Sequence, residues 1–389
     1  MDFNPFSDET QRDPYPIYRR LRDEAPCYRH QELGFFALSR FEDCWNAALD
    51  WQSFSSSAGP SMELSGEGED FSLIGMDPPR HTTMRNLVSR GFTPRRIAAL
   101  EPRIRELTRA YLETLHEGST CDFQTTLGAR LPMAVLCQLV GIPMEMSERI
   151  CEWSNLSLHR EPGQALPPPE AAEADRNLRA YLGELLQTRK RAGGKDVLSI
   201  LIEAEVDEGK GAERLSDDEI VAFLNLLAAA GNETTTKLIG NAIVLLAQHP
   251  EQRASLCEQP AKISQALEEI LRFESPSQNT GRITLRDIEM HGEKIPTGSR
   301  VMLITGAACR DEREYPDPDR FDITRSFERS LYFGHGHHVC LGKSLARLEA
   351  RVVLEEFLSR FPHYELDPAG LKRTHQSHVR GFSKIVLFL

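Results

Sequence analysis

The densest chemistry in the chain is the run Phe333-Gly334-His335-Gly336-His337-His338-Val339-Cys340-Leu341-Gly342. A cysteine among histidines offers metal ligands, and the glycines let the backbone turn tightly and approach a flat partner. Leu341, Leu345, Leu348 and Val352 form an apolar stripe after Cys340, so a helix starts there and its free N–H groups favour thiolate over thiol. Several chemistries compete for this run. A zinc site from His335, His337, His338 and Cys340 is possible, but the ligands are more crowded than usual zinc spacing. The covalent haem-attachment pattern C-x-x-C-H is absent. Gly342-Lys343-Ser344 imitates the end of a phosphate-binding loop, yet that motif needs glycine where His337 stands. A plain buried cysteine is the remaining reading, and it suits the cysteines at 27, 44, 121, 137, 151, 257 and 309.

A second unusual segment is Ala230-Gly231-Asn232-Glu233-Thr234-Thr235-Thr236. Glycine and β-branched residues are poor choices inside a helix, yet the surrounding pattern is strongly helical. Thr234 at this place bonds back to the carbonyl of Ala230 and bends or widens the helix. Taken alone, the segment equally suits a close helix crossing through Gly231. The helix begins at Ser216, where Ser216 and Glu219 form a capping box with Asp217 and Asp218 at the positive end. It stops at His249-Pro250. The predicted span, 217–248, is about 48 Å long, enough to cross a domain.

Three charged sets complete the candidates. Glu269-Ile270-Leu271-Arg272 puts opposite charges on one helix face, by itself an ordinary surface pair. Asp77-Pro78-Pro79-Arg80-His81-Thr82-Thr83-Met84-Arg85 places His81 and Arg85 one helical turn apart. Lys343, Arg347 and Arg351 recur every four residues; they form either a solvated face, with Arg351 on Glu355, or a docking stripe. The elements that must position these groups are mostly helical: Arg95–His116, the 217–248 helix, about Pro260–Phe273, and the helix after Cys340. Short extended pieces lie at Ile288–His291 and Arg300–Ile304.

Composition narrows the function class. The 389 residues are 40% hydrophobic and 27% charged, which is enough for a real core. A net charge of −12 argues against a nucleic-acid binder or a polybasic membrane-surface protein. Dispersed cysteines without a C-x-x-C pair read as reduced thiols. The polar start and the lack of any run of 18 apolar residues predict a cytoplasmic protein, with no membrane and no nucleic-acid partner. The length suggests two or three domains, but no linker is visible.

The string F-G-x-G-x-H-x-C-x-G is matched without departure, and it resembles the haem-binding loop of the cytochrome P450 family of haem-thiolate monooxygenases. The resemblance implies that Cys340 is the axial iron ligand and that Phe333, Gly334, His338 and Gly342 belong to the cofactor loop. Ala-Gly-x-Glu-Thr resembles that family's oxygen-binding helix. Ala230 or Gly231 then makes room for dioxygen, and Glu233 with Thr234 forms an acid–alcohol proton path. His81, Arg85 and Arg282 resemble the family's haem-propionate anchors. Glu269 and Arg272, with Arg320 of Pro318-Asp319-Arg320-Phe321, resemble its buried structural triad. Phe223, Leu227, Ala230, Gln278 and Asn279 are the candidate substrate pocket, with Ser53–Ile74 and Asn155–Ala171 as variable walls. Lys343, Arg347 and Arg351 are the candidate surface for an electron donor.

The same resemblance implies a mainly α fold with a small β region, one domain over 1–389 around a buried haem b. The implied reaction inserts one oxygen atom from O2 into a small or medium hydrophobic substrate, by hydroxylation or epoxidation. Electrons come from NAD(P)H through a reductase and a [2Fe-2S] or other ferredoxin, and a monomer is expected. The alternatives are a haem-thiolate sensor without turnover and, more weakly, a zinc-binding module.

Overall fold

The computed structural model describes residues 1–60, 72–159, 161, 167–207, 212–376 and 378–389. The helices that matter here are α1 (Arg80–Ser89), α2 (Glu101–Leu112), α3 (Arg130–Val140), α4 (Ser147–Leu158), α5 (Pro169–Ala192), α6 (Asp217–Gln248), α7 (Ile263–Phe273) and α8 (Lys343–Arg360). The sheet strands are β1 (Cys27–His30), β2 (Phe35–Leu38), β3 (Phe54–Ser55), β4 (Thr280–Thr284) and β5 (Arg300–Leu303), ordered β1-β2-β5-β4-β3. β5 runs parallel to β2, and the other neighbours are antiparallel.

α6 is the central beam. Ser216 Oγ accepts from the Glu219 N–H at 3.2 Å, and Glu219 Oε2 accepts from the Ser216 N–H at 2.8 Å, so the predicted capping box forms in both directions. At the other end His249 closes the helix, and Pro250 opens the next one. Residues 235–246 are buried on every side, as in a helix that crosses a core rather than lining it. α3, α4, α5, α7 and α8 pack against it. One apolar cluster runs from Cys27 to Leu387. The 95–116 pattern is split into Pro94–Ala98 and α2, and a helix at Pro250–Glu258 had no separate signal in the sequence.

The expected widening of α6 does not occur. Thr234 Oγ1 donates to the Ala230 carbonyl at 2.7 Å, but the backbone stays α-helical throughout. The added bond is accommodated without losing an i to i−4 partner. The π-helical turn is elsewhere, at Gln124–Gly128, against the Gly240 face of α6. A Cβ on Gly240 would lie 2.5 Å from Gln124 Nε2.

The buried charge set also differs from expectation. Glu269 and Arg272 form a two-pronged pair with no exposed side-chain surface, at 2.6 and 2.8 Å. Arg272 also donates to the carbonyls of Cys309 and Pro318, each at 2.9 Å. The third partner is Arg325, 3.3 Å from Glu269 and 12% exposed. Arg320, the residue the sequence pointed to, is 69% exposed and sits 3.7 Å from Asp322. A tight turn explains the exchange. The Asp322 N–H donates to Glu269 at 3.0 Å and the Arg325 N–H to the Asp322 carbonyl at 3.0 Å, which swings Arg325 back inward. Arg325 then donates to the carbonyls of Pro316, Asp317 and Arg320.

Chemical denaturation of the purified protein should therefore separate these arginines. Arg272→Met, which strands a buried carboxylate, is expected to cost about 3–5 kcal/mol. Arg320→Met is expected to stay within about 0.5 kcal/mol of the parent. Arg325→Met should fall between them.

Candidate active site

Four elements carry the candidate groups. The Cys340 loop is a tight fold: the Cys340 N–H donates to the Phe333 carbonyl at 2.8 Å, and the Gly334 N–H to the Leu331 carbonyl at 2.8 Å. Gly336 has φ of +68°, and a Cβ there would lie 2.7 Å from the Ala48 carbonyl oxygen, so only glycine fits. His335 stacks on Trp45 with ring centres 3.4 Å apart. His338 Nε2 pairs with the Met76 carbonyl at 3.0 Å. These histidines point to separate partners, and among the described residues no three His, Cys, Asp or Glu side chains gather as a metal cluster. The zinc reading finds no geometric support.

The helix start beside Cys340 acts in the expected direction but does not win. Burial pushes the thiol up. The Gly342 N–H and the charges of Arg85, Lys343 and Arg347 pull it down by less. A metal's positive charge is what would tip it to thiolate.

α1 bridges the loop and the central helix. Arg85 donates to the Val339 carbonyl. Arg80 pairs with Glu219, the capping residue of α6. His81 lies 4.2 Å from the His338 ring, centre to centre. The start of α1 is fixed from the sheet, because Asp77 accepts from the Ser55 hydroxyl and, at 2.9 Å, from the Ser56 N–H beside β3. β4 supplies Arg282, which is opposite Val301 on β5.

The charges here suit an anionic ligand. Arg282 is 7% exposed and, among the described residues, donates to the Gly281 carbonyl and the Thr280 hydroxyl, at 2.7 and 3.3 Å. Burial lowers its pKa to about 10, with Asp77 opposing. Among the described residues neither Arg282 nor Arg85 has a carboxylate within ion-pair distance. Both ring nitrogens of buried His81 lack a hydrogen-bond partner among those residues. Burial lowers the His81 pKa to about 4 and that of His338 to about 3, so both are neutral at pH 7; His81 keeps its N–H unspent among the described residues, whereas the N–H of His338 goes to the Met76 carbonyl. A buried guanidinium without counter-charge is costly; Arg282 is buried and Arg85 half-buried, and two carboxylates of a flat cofactor would satisfy this set. The residues fit a haem with its propionates here and its iron toward Cys340.

α6 presents its own open stripe. Ala230 is exposed and Leu227 and Thr234 are half-buried, whereas Phe223, one turn earlier on the same face, is buried. Glu233 is turned inward and is 3% exposed. Its Oε1 accepts from Lys237 Nζ and from Gln376 Nε2, each at 3.0 Å. Lys237 also donates to the Phe382 carbonyl at 3.1 Å. Lys237 stands at i+4 from Glu233, so spacing alone could have found that pair. Gln376 lies in a distant segment and carried no signal.

Two other sets depart from expectation. Gln278 and Asn279 do not join the α6 stripe. The Gln278 amide donates to the Ser275 carbonyl at 2.7 Å, closing the turn after α7, and both residues line a cavity that contains no α6 residue. In the basic stripe, Arg347 is spent on Glu268 in two bonds of 2.6 and 2.7 Å. Arg351 is spent on Glu101 and Glu355, at 2.6 and 2.8 Å. Lys343 alone of the three has no ion-pair partner among the described residues. Of the expected pocket walls, residues 61–71, 160 and 162–166 lie outside the described residues.

Comparison with known proteins agrees with this geometry. The family model described as "Cytochrome P450" matches residues 171–260 and 262–382. A putative cytochrome P450 123 of Mycobacterium tuberculosis is 41% identical over 98% of this chain and 95% of that protein. A vitamin D(3) 25-hydroxylase of Pseudonocardia autotrophica is 36% identical over 98% of this chain and 94% of its own. The solved cytochrome P450 CYP109Q5 of Chondromyces apiculatus superposes with a TM-score of 0.88 at 35% identity, covering 99% of this chain and 97% of that one. Together with the Cys340 loop and the buried cations around it, these matches lead to one conclusion: the chain belongs to the cytochrome P450 family and is a haem-dependent monooxygenase.

Proposed function

We propose that the protein inserts one oxygen atom from O2 into a small or medium hydrophobic molecule, by hydroxylation or epoxidation, as one domain around haem b. The observation that carries this reading is the joint arrangement on α1. This helix ties the Cys340 loop, through Arg85, to α6, through Arg80, and so sets the cysteine and the open α6 stripe about one cofactor site. Haem ligated by a thiolate supplies the oxygen-activating chemistry. Cys340 would hold its iron, and His81, Arg85 and Arg282 its propionate edge, with His338 packed beside His81.

The remaining work falls to side chains of α6. Leu227 and Ala230 form the apolar wall against which a substrate is held, and Phe223 is buried one turn earlier on the same face. Ala230 and Gly231 add little bulk, which leaves space beside the wall. Thr234 places a hydroxyl at the open stripe, where it can hold a proton at Oγ1. Buried Glu233 holds the next proton of the path, anchored by Lys237. The 36% identical vitamin D(3) 25-hydroxylase supports starting the substrate search with steroid-like compounds. Electrons would arrive from NAD(P)H through a reductase and a ferredoxin, docking beside Lys343.

The direct test is spectral. Purified holoprotein is titrated with testosterone, dodecanoic acid, a monoterpene and a macrolide, and its reduced carbon monoxide complex is recorded. A thiolate-type absorption band that Cys340→Ser abolishes, with a ligand-induced shift for one class, supports the reading. A histidine-type band, or zinc in place of iron by metal analysis, overturns it.

Thr234→Ala should keep haem and ligand binding but divert electrons to hydrogen peroxide. Product formed per NADH is expected to fall at least about tenfold. An unchanged ratio would remove Thr234 from the proton path.

For electron delivery, Lys343→Glu is the clean reversal, since Arg347→Glu would also break the Glu268 pair and the Phe333 stacking contact. Reduction by ferredoxin should slow several-fold and lose part of its salt dependence. A rate indistinguishable from the parent at low salt would place docking elsewhere.

A further inference from the structure

The guanidinium of Arg347 lies over the Phe333 ring, 4.6 Å from its centre. Phe333 opens the cysteine loop, and its carbonyl accepts the Cys340 N–H at 2.8 Å. A cation on α8 is therefore in contact with the residue whose backbone bonds directly to Cys340. Such contacts between a guanidinium and an aromatic face are attractive, more so where water is partly excluded. The Arg347 side chain is 35% exposed, so solvent screens its charge only in part. That charge favours negative charge at the Cys340 sulfur.

Arg347 is also clamped from its far side. Glu268 on α7 takes it in a two-pronged bond, Nε to Oε1 at 2.6 Å and a terminal nitrogen to Oε2 at 2.7 Å. The Tyr332 hydroxyl donates to the same Oε2 at 2.6 Å. Tyr332 is 5% exposed, and its ring meets that of Phe333 edge-on with centres 5.4 Å apart. Glu268 thus grips both Arg347 and the residue before Phe333, which closes the four side chains into a ring of contacts. The bond to Glu268 pushes the Arg347 pKa up, against burial, so the group stays a cation.

Reduction of a thiolate-ligated haem adds one electron, and with it negative charge, beside the sulfur. A fixed cation nearby favours the reduced state, and a fixed anion opposes it. Groups behind the ligand tune such potentials as well as the ligand itself. We propose that Arg347 is a positioning residue of the cysteine loop: clamped by Glu268 and seated on Phe333, it holds a positive charge that makes bound haem easier to reduce. Glu268 fixes this charge and moderates it. The electron comes from the external donor, and no bond forms or breaks in the clamp. The proposal rests on Cys340 as the iron ligand, as given above.

The reduction potential of the purified holoprotein tests it, titrated spectroelectrochemically with small mediators. No ferredoxin is present, so a docking role of Arg347 cannot move the result. At the solution potential that leaves the parent half reduced, Arg347→Met should lower the ratio of ferrous to ferric haem at least about threefold. Glu268→Gln removes the counter-charge but keeps an acceptor for Arg347, and it should raise that ratio. Opposite directions are the signature of charge, whereas loss of packing alone would move both variants the same way. If Arg347→Met does not fold, the rise in Glu268→Gln is the deciding measurement.

Variants that leave the ratio unchanged, or that shift it in one common direction, overturn the proposal, as does a lower ratio in Glu268→Gln alone. If Cys340→Ser abolishes a thiolate-type carbon monoxide band while these ratios stand still, only this inference falls. If Cys340→Ser keeps that band, the ligand assignment falls, and this inference with it.

Discussion

Positive charge taken out of water without a protein counter-charge is the condition around which this fold is arranged. Arg282 sits in the sheet with a carbonyl and a hydroxyl to bond, and Arg85 reaches a backbone carbonyl of the cysteine loop. In a protein that folded for its own sake, such groups would be paired or moved to the surface. Here two separate elements, the sheet and α1, each bring a guanidinium toward His338 of the loop. A dianionic cofactor bound there would supply the missing counter-charge and stabilise the folded chain. The cofactor would thus be a structural member as much as a reagent.

The acid on α6 obeys the opposite logic. Glu233 is deeply buried but over-provided on one oxygen, with an ammonium and an amide on Oε1. Fixing one oxygen leaves the other oriented, which suits the proton role proposed for Glu233. The same helix keeps Thr234 bonded to Ala230 without opening its backbone. Function on α6 is therefore a matter of which side chains stay unfilled, not of a distorted helix.

Much of this was legible in the sequence because it is local. The capping box of Ser216 and Glu219, the stop at Pro250 and the glycines of the cysteine loop are decided by neighbours a few residues apart. The helical class and the Glu269–Arg272 pair followed from spacing of the same kind. What escaped depended on chain reversal or long-range contact. Arg320 and Arg325 are both near the expected motif, and only the turn at Asp322 decides which one faces Glu269. Gln278 reads as a pocket residue until the turn after α7 captures its amide. A regular basic stripe on α8 reads as free charge until Glu268 and Glu101 arrive from other helices. Gln376 touches Glu233 across 143 positions, a distance no periodicity can bridge.

Glu219 serves two helices at once. It closes the cap of α6 with Ser216 and also receives Arg80 from the first turn of α1. A single carboxylate is thus the common fastening of two elements with separate proposed jobs, cofactor anchoring and substrate contact. The two helices are in this sense one inheritable unit. A chimera that imports α1 from a relative with glutamate in place of Arg80 would set like charges together and loosen the first turn of α6. Exchanges between such proteins should therefore move the α1 and α6 starts as a pair.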